Sequence, residues 1–124
     1  MDGSRSTGFA EAPASAFKAD RPAHQTPAVL LAEGTRFRVR SLRLAPGEAT
    51  SLQSHMHRSE HWVVVEGTAE ITIGVQTRLV IEGEAAHIPL GRPHRLENPG
   101  RLPAVLIAVD SGTYLADDDV IRHD

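Results

Sequence analysis

At 124 residues, the chain is long enough for one domain with a single hydrophobic core and too short for two. Its 13 basic and 16 acidic side chains give a formal net charge of −3, which provides no electrostatic reason to expect nucleic acid or an anionic membrane as a partner. The chain has no cysteine, so disulfides and thiolate metal sites are excluded. The composition therefore favours a small molecule as the partner.

The first 27 residues are rich in Ala, Ser, Pro and Gly and show no sustained hydrophobic period. Such a stretch buries too little apolar surface to offset the entropy of ordering it. Residues 1–27 are therefore predicted to form a flexible N-terminal arm, followed by a barrel domain over residues 28–124. The N-terminus lacks the apolar run of a secretory signal, and no segment approaches the roughly 20 apolar residues of a membrane span. We therefore expect a cytoplasmic protein.

Short apolar runs that end at turn residues recur from Ala28 onward. Glycine, proline or asparagine turn signals follow the predicted strands, which are Phe37–Leu44, His61–Val65, Ala69–Ile73, Arg78–Ile81, Ala85–Pro89, Arg95–Glu97 and Ala104–Val109. The apolar residues of the first run keep neither strict alternation nor helical spacing, which predicts a bulge or burial on both faces. Seven or eight short strands without an amphipathic helix predict an all-β sandwich or barrel.

A first polar cluster, QSHMHRSEH, occupies residues 53–61. Because side chains on a strand alternate between faces, Gln53, His55 and His57 can all project to one side. Glu60 has the opposite parity, so it joins that side only if the residues from position 56 to 59 form a turn or a bulge. Imidazole and carboxylate groups suit zinc, manganese, iron, nickel or copper, so the cluster predicts a metal site and leaves the identity of the ion open.

A second polar cluster, PLGRPH, occupies residues 89–94, about thirty positions later. A strand enters this Pro/Gly bend, and the chain re-emerges with His94 at the start of the next strand. One histidine from a neighbouring strand would complete a set of four protein ligands and leave coordination positions open for water or substrate. Open positions are typical of a catalytic metal site.

Both clusters, with their flanking glycines, resemble the paired motifs of the cupin superfamily. The first motif, with glutamine in place of its first histidine, is matched at Gly47, Gln53, His55, Glu60 and Gly67. The second motif is matched at Gly83, Pro89, Gly91, His94 and Asn98. The spacings agree in both motifs, and the resemblance implies a cupin double-stranded β-helix, which is a jelly-roll barrel.

Within that superfamily, the segments HRSEHWVVV and HRLENPG resemble the type II phosphomannose isomerase domain, over roughly residues 20–122. The resemblance implies a divalent metal ion, with zinc as the first choice and manganese, iron, cobalt or nickel as alternatives. The implied metal ligands are Gln53, His55, Glu60 and His94. A competing register pairs His55 with His57 and leaves Gln53 outside the ligand set. The first register is preferred because only it keeps the motif spacing from Gly47 to Glu60.

The resemblance also implies an isomerase that interconverts mannose 6-phosphate and fructose 6-phosphate. That reaction moves a proton between C1 and C2, while a metal ion acting as a Lewis acid stabilises the enediolate. His57 is the candidate for proton transfer, because histidine titrates near neutral pH. Arg58 and Arg95 are the candidates for holding the phosphate, since guanidinium groups suit its paired oxygens.

Two other classes of function stay open at this stage. One is another small cupin metalloenzyme, such as a dioxygenase or a cyclase, and the other is a non-catalytic sugar-binding module, because this fold supports many chemistries. Small cupin barrels pair through strand exchange or sheet packing, so a homodimer is expected.

Overall fold

The computed structural model describes residues 28–113, 115 and 119–124, and it confirms the all-β expectation. These residues contain ten strands and no α-helix. The strands are β1 (Ala28–Glu33), β2 (Phe37–Leu44), β3 (Gln53–His55), β4 (Arg58–Glu66), β5 (Thr68–Ile73), β6 (Gln76–Ile81), β7 (Ala85–Ile88), β8 (His94–Glu97), β9 (Ala104–Gly112) and β10 (Val120–Arg122). They form two five-stranded antiparallel sheets, in the orders β1-β2-β9-β4-β7 and β10-β3-β8-β5-β6.

The two sheets interleave along the chain. From β3 to β9, the path enters the second sheet at β3, β5 and β8, and it returns to the first sheet at β4, β7 and β9. The strands of the first motif, β3 and β4, therefore lie in different sheets. The same is true of β7 and β8, the strands of the second motif. This crossing between sheets is the double-stranded β-helix that the cupin resemblance implies.

One apolar core lies between the inward faces of the sheets. Alternate residues of β4 are buried, so Trp62 and Val64 point inward while His61 and Val65 are exposed. The buried core residues are Leu42, Leu44, Trp62, Val64, Ala69, Ile71, Val80, Ala86, Ile88, Leu96, Ala104, Leu106 and Ala108. Burial of these side chains supplies the main stabilisation of the fold, because the described chain has no helix to contribute another layer.

The inward positions change from apolar to charged at one end of the barrel. Along β2, the inward parity passes from Leu42 to Arg40 and then to Arg38. The register places Arg38 opposite Asp110 of β9, and Asp110 is in turn opposite Glu60 of β4. Three neighbouring strands therefore place charged side chains in the interior at the same level, next to the apolar core.

The predicted strands are present, and most differences concern their ends. β2 has the predicted bounds, Phe37–Leu44. β4 begins at Arg58, three residues before the predicted start at His61, and β9 continues to Gly112 beyond the predicted end at Val109. These extensions carry polar residues, and the apolar pattern that predicted the strands does not reach them.

Three strands are absent from the predicted set. Ala28–Glu33 forms β1, and Gln53–His55 and Val120–Arg122 pair with each other as β3 and β10. The described residues therefore contain ten strands where seven or eight were expected. The irregularity expected in β2 lies in its partner, because the pairing of β1 shifts register between Leu30 and Ala32.

Gly67 allows β4 to turn directly into β5. Its φ is 76°, in the left-handed region that a side chain disfavours. A Cβ atom at this position would lie 2.6 Å from the carbonyl oxygen of Pro103, in the loop before β9. The glycine is therefore required both by the backbone conformation and by the close approach of a second loop.

The predicted N-terminal arm, residues 1–27, lies outside the described residues, so the boundary between arm and barrel stays a prediction. In the part of the chain that the structure describes, no helix has the length and apolar character needed to cross a membrane.

Candidate metal centre

Three of the predicted metal ligands meet inside the barrel. His55 lies on β3, Glu60 on β4 and His94 at the start of β8. Each offers one ligand atom, and these atoms all lie within 4.8 Å of one another. All three residues are buried, with at most 5% of their surface exposed. Two imidazoles and one carboxylate form a donor set that suits a divalent ion such as zinc, manganese, iron, cobalt or nickel.

A turn between β3 and β4 places Glu60 on the same side as His55. Met56 and His57 lie outside both strands. The turn that they form shifts the alternation of side chains in β4 by one residue, so that Glu60 points to the same face as His55. The carboxylate of Asp119 accepts hydrogen bonds from the backbone N–H groups of Met56 at 3.2 Å and of His57 at 3.1 Å. The segment that leads into β10 therefore holds the turn that aligns the two ligands.

Gly91 connects the second motif to the first. Its φ is 73°, and its N–H donates a hydrogen bond to the carbonyl oxygen of His55 at 2.7 Å. A few residues later, His94 begins β8 opposite Gln53 in the register of β3. The imidazole rings of His55 and His94 consequently lie 5.0 Å apart between centroids.

His94 is held in a tautomer that leaves Nε2 unprotonated. Its Nδ1 atom lies 3.0 Å from the carbonyl oxygen of Arg92, and a carbonyl oxygen can only accept, so Nδ1 carries the proton. Burial lowers the pKa of His94, although the charge of Glu60 and the bond to Arg92 act against this. The neutral imidazole, which is the form that binds metal, is therefore favoured at neutral pH.

Glu60 is ionised although it is buried. Burial acts to raise its pKa, but the hydrogen bond from His55 and the charges of Arg40 and His94 outweigh it and lower the pKa to about 2. The Nε2 atom of His55 lies 3.0 Å from Oε2, and the indole N–H of Trp62 donates to Oε1 at 2.6 Å. Both carboxylate oxygens are thus oriented, and the negative charge that a cation needs is already in place.

A layer of charged side chains, here called the charged layer, adjoins this cluster and consists of Arg38, Arg40, Arg58, Glu60 and Asp110. Nη2 of Arg40 donates to Asp110 at 3.1 Å and lies 3.6 Å from Glu60. Arg38 also donates to Asp110, at 3.4 Å. Burial raises the pKa of Asp110 and Glu60 adds to this effect, while Arg40 and Arg58 oppose it.

Three members of the charged layer were not predicted. Arg38, Arg40 and Asp110 lie outside both motifs. A signal was nevertheless present in β2, because Arg38 and Arg40 share the inward parity of Leu42 and Leu44. A charged residue at an inward position of a strand needs a buried partner of opposite charge.

Arg58, which was predicted to hold phosphate, is buried beside the candidate ligands. Its Nε atom lies 3.6 Å from Glu60, and Nη2 lies 3.3 Å from Nδ1 of His55. Nη1 donates to the carbonyl oxygen of Leu115 at 3.3 Å. Burial lowers the pKa of Arg58, while the carboxylates of Glu60 and Asp110 act against this. In this position the guanidinium group orients a carboxylate and an imidazole.

Two other residues with predicted catalytic roles lie away from the cluster. The side chain of His57 is 57% exposed, and its Nδ1 atom lies 2.9 Å from the carboxylate of Asp119. Arg95 follows His94 in β8, so the alternation of the strand directs it to the opposite face. The structure therefore does not bring these two residues to the ligand cluster, and their catalytic roles stay predictions.

Gln53 shares the parity of His55 on β3, and it is the register partner of His94. Its amide nitrogen donates to the hydroxyl of Ser51 at 3.2 Å, which orients the side chain. These positions agree with the register in which Gln53 accompanies His55, Glu60 and His94. Its role as a ligand stays a prediction.

The chain is similar to one protein family, and it matches only part of the length of that family's curated members. The family model described as mannose-6-phosphate isomerase C-terminal matches residues 16–124. A mannose-1-phosphate guanylyltransferase of Escherichia coli is 53% identical over 89 residues, which cover 72% of this chain and 19% of that protein. The chain thus spans about a fifth of the length of the curated relatives that it matches.

Solved structures share the fold. A protein from Klebsiella pneumoniae with a double-stranded β-helix domain has a TM-score of 0.71 at 20% identity, with coverage of 91% of this chain and 96% of that one. A sugar phosphate isomerase from a cupin superfamily, from Silicibacter pomeroyi, has a TM-score of 0.58 at 29% identity, with coverage of 66% and 57%. With both motifs in place on the barrel, the match over residues 16–124 shows that the chain belongs to the mannose-6-phosphate isomerase C-terminal family of cupin domains.

Proposed function

We propose that this domain is a metal-dependent sugar-phosphate isomerase that interconverts mannose 6-phosphate and fructose 6-phosphate. The observation that carries the proposal is the buried cluster of His55, Glu60 and His94, whose ligand atoms lie within 4.8 Å of one another. The family description and the name of the Silicibacter pomeroyi protein support this class of reaction. The guanylyltransferase relatives extend far beyond the region that matches this chain, so the activity for which they are named is not assigned to it.

The cluster fits a divalent ion without large rearrangement. Glu60 is ionised and His94 is neutral, so neither must lose a proton to bind a cation. His55 already directs Nε2 toward Glu60, at 3.0 Å from Oε2, so its imidazole faces the position that an ion would occupy. Gln53 would be the fourth protein ligand, because it lies beside His55 on the same face of β3. Zinc is the first choice of ion.

The residues around the cluster would keep the reacting groups in place. A divalent ion held by His55, Glu60 and His94 would supply a Lewis acid that stabilises negative charge on the substrate oxygens. Trp62 holds one carboxylate oxygen of Glu60, and Arg58 contacts the imidazole of His55, so the ligands are positioned before substrate binds. The burial of the cluster keeps bulk water from the site, which strengthens these electrostatic interactions.

Metal binding and turnover are measured separately in the test. Trp62 is the only tryptophan, its indole contacts Glu60, and its ring lies 5.5 Å from that of His94, so its fluorescence should respond when zinc, manganese, cobalt, nickel or iron(II) is added to metal-free protein. Turnover is followed by a coupled assay for fructose 6-phosphate formed from mannose 6-phosphate. We expect His94→Ala to lose both the fluorescence response to metal and the formation of fructose 6-phosphate. The control is His61→Ala, whose exposed side chain follows Glu60 on β4 and faces away from the cluster.

The two measurements have different decisive outcomes. No turnover with any of these ions would overturn the isomerase proposal, and metal binding without turnover would favour a non-catalytic binding module. Full metal content in both His55→Ala and His94→Ala would overturn the metal site itself. Loss of metal from His61→Ala as well would mean that the effect does not depend on the buried cluster.

A further inference from the structure

Two histidines on the outer surface of the first sheet take no part in the buried cluster. His61 of β4 is directly opposite His87 of β7 in the strand register. Both side chains are exposed and alternate with buried neighbours, so they lie on the face of the sheet that is turned away from the barrel interior. β7 is the edge strand of this sheet, which opens the pair to solvent. These two residues are here called the outer pair.

The imidazole rings of the outer pair lie against each other. Their centroids are 4.3 Å apart, and their planes are inclined at 38°. Directly opposite residues of antiparallel strands have Cβ atoms only about 5 Å apart, so the backbone itself sets this closeness. Two nitrogen ligands that share one metal ion at about 2 Å each lie about 3 Å from each other. Rings that are already this close reach that separation by small rotations of their side chains.

The ring nitrogens of the outer pair have no competing polar partner in the described residues. Within residues 28–113, 115 and 119–124, the contact between the two rings is the one polar or aromatic interaction that either side chain makes. The adjoining positions on this face are uncharged. Val109 is opposite His61 on β9, and Val63 with Ala85 forms the next pair along the strands. Each neutral imidazole has an unprotonated nitrogen whose lone pair can accept a ligand.

Paired imidazoles on a rigid backbone favour a transition-metal ion. Imidazole suits copper, nickel and zinc, and copper(II) binds a given set of such ligands most strongly. Once one imidazole holds the ion, the second is already within reach and binds it as an intramolecular ligand. Two protein ligands leave the other coordination positions to water or to a small chelator. The buried cluster differs in both respects, because it includes a carboxylate and is closed to solvent.

We infer that His61 and His87 form a second metal site, in which one nitrogen of each imidazole binds a copper(II), nickel(II) or zinc ion on the outer face of the first sheet. Glu60 and His61 are consecutive, and their side chains leave β4 on opposite faces. The outer site and the buried cluster therefore lie on the two sides of one sheet. The outer site does not depend on the proposed isomerase activity.

Copper(II) chelated by iminodiacetate is the probe. The chelate keeps coordination positions open for added imidazoles, but it is too bulky to enter a cluster whose residues are at most 5% exposed. Its dissociation constant is measured by calorimetry with protein that carries no histidine tag. We expect His87→Phe to weaken binding about tenfold or more, because phenylalanine retains a ring but has no ligand atom. His61→Ala should show a similar loss.

The double variant separates a shared site from two independent histidines. If both imidazoles bind one ion, His61→Ala combined with His87→Phe should lose little more affinity than either single variant, because each substitution alone already removes the pair. The matched control is His57→Ala, since His57 is also exposed and its Nδ1 atom lies 2.9 Å from the carboxylate of Asp119. Its affinity for the chelate should stay within about twofold of the wild type.

Three results would overturn the outer site. They are equal affinities of the wild type and His87→Phe, losses that simply add in the double variant, and an equal loss in His57→Ala. None of them depends on the turnover of mannose 6-phosphate, so failure of the outer site and failure of the isomerase proposal are distinguishable. A wash with a strong chelator removes an ion from the exposed pair before it reaches the buried cluster, so metal that His61→Ala retains after the wash still reports on that cluster. Circular dichroism confirms that each variant is folded.

Discussion

Acid should remove a defined share of the stability of the metal-free domain, because Glu60 is ionised inside the barrel. Burial acts to raise its pKa, but the hydrogen bond from His55 and the charges of Arg40 and His94 lower it from an ordinary 4.5 to about 2. Each pKa unit corresponds to about 1.4 kcal/mol, so the difference between the two values corresponds to about 3 kcal/mol of unfolding free energy.

The unfolding free energy falls with falling pH because the folded and unfolded states bind the Glu60 proton with different strength. Glu60 binds its proton more weakly in the folded chain than in the unfolded chain, so the unfolded state takes up protons first as the pH falls. The stabilisation is fully present above the unfolded pKa of 4.5 and is lost as the pH falls through the folded pKa of about 2. About 2 kcal/mol of it should disappear between pH 6 and pH 3.

Urea unfolding of the wild type and Glu60→Gln, followed by Trp62 fluorescence and circular dichroism, measures this contribution. The free-energy difference between the two proteins should shrink by about 2 kcal/mol from pH 6 to pH 3, because the amide does not titrate. Glu66→Gln is the control, since Glu66 is exposed on the same strand and should give a small, constant difference. A difference between wild type and Glu60→Gln that does not change with pH would refute the assignment of a buried, ionised Glu60.

Three further substitutions test the turns that support the site. Asn98→Ala removes three side-chain hydrogen bonds at a fully buried position, and it should lower the unfolding free energy by about 3 kcal/mol in urea titrations. Gly67→Ala should cost about 2 kcal/mol or more in the same measurement, because φ is 76° and the added Cβ would meet the backbone of Pro103. His57→Ala should leave the metal content unchanged, since the side chain of His57 is 57% exposed and its Nδ1 atom lies 2.9 Å from the carboxylate of Asp119. If His57 transfers the proton, its loss should lower kcat at least about a hundredfold, and an unchanged kcat would exclude that role.

The cluster of His55, Glu60 and His94 could be predicted because the resemblance to the cupin motifs implied all three residues, and the motifs also contain the residues that position them. His55 and Glu60 are close in sequence, and only a short turn was needed to align them. Gly91 then ties the second motif to His55 through one backbone hydrogen bond, which brings His94 into place. Short-range spacing and turn chemistry therefore carried most of the information about this part of the site.

The charged layer could not be predicted in the same way, because it depends on which strands are neighbours. Arg38 and Asp110 are 72 positions apart and meet only through the pairing of β2 with β9. The positions of Arg58 and Arg95 have a related cause. Arg58 was expected to reach a ligand, but the acidic groups that allow its burial lie on β4 and β9. Arg95 was predicted by type and sequence proximity to His94, and strand alternation directs it away.

Glu60 belongs to the metal cluster and to the charged layer, and this shared carboxylate determines which substitutions are informative. Arg40 lies 3.6 Å from Glu60, so its loss would change the charge at the candidate metal ligands as well as within the charged layer. Arg38 shares this ambiguity, because it contacts Asp110, which lies directly opposite Glu60 in the register of β9 and β4. Metal affinity in a His94 variant therefore reports on the metal cluster more directly than it would in an Arg38 or Arg40 variant, because His94 lies on the other sheet and outside the charged layer.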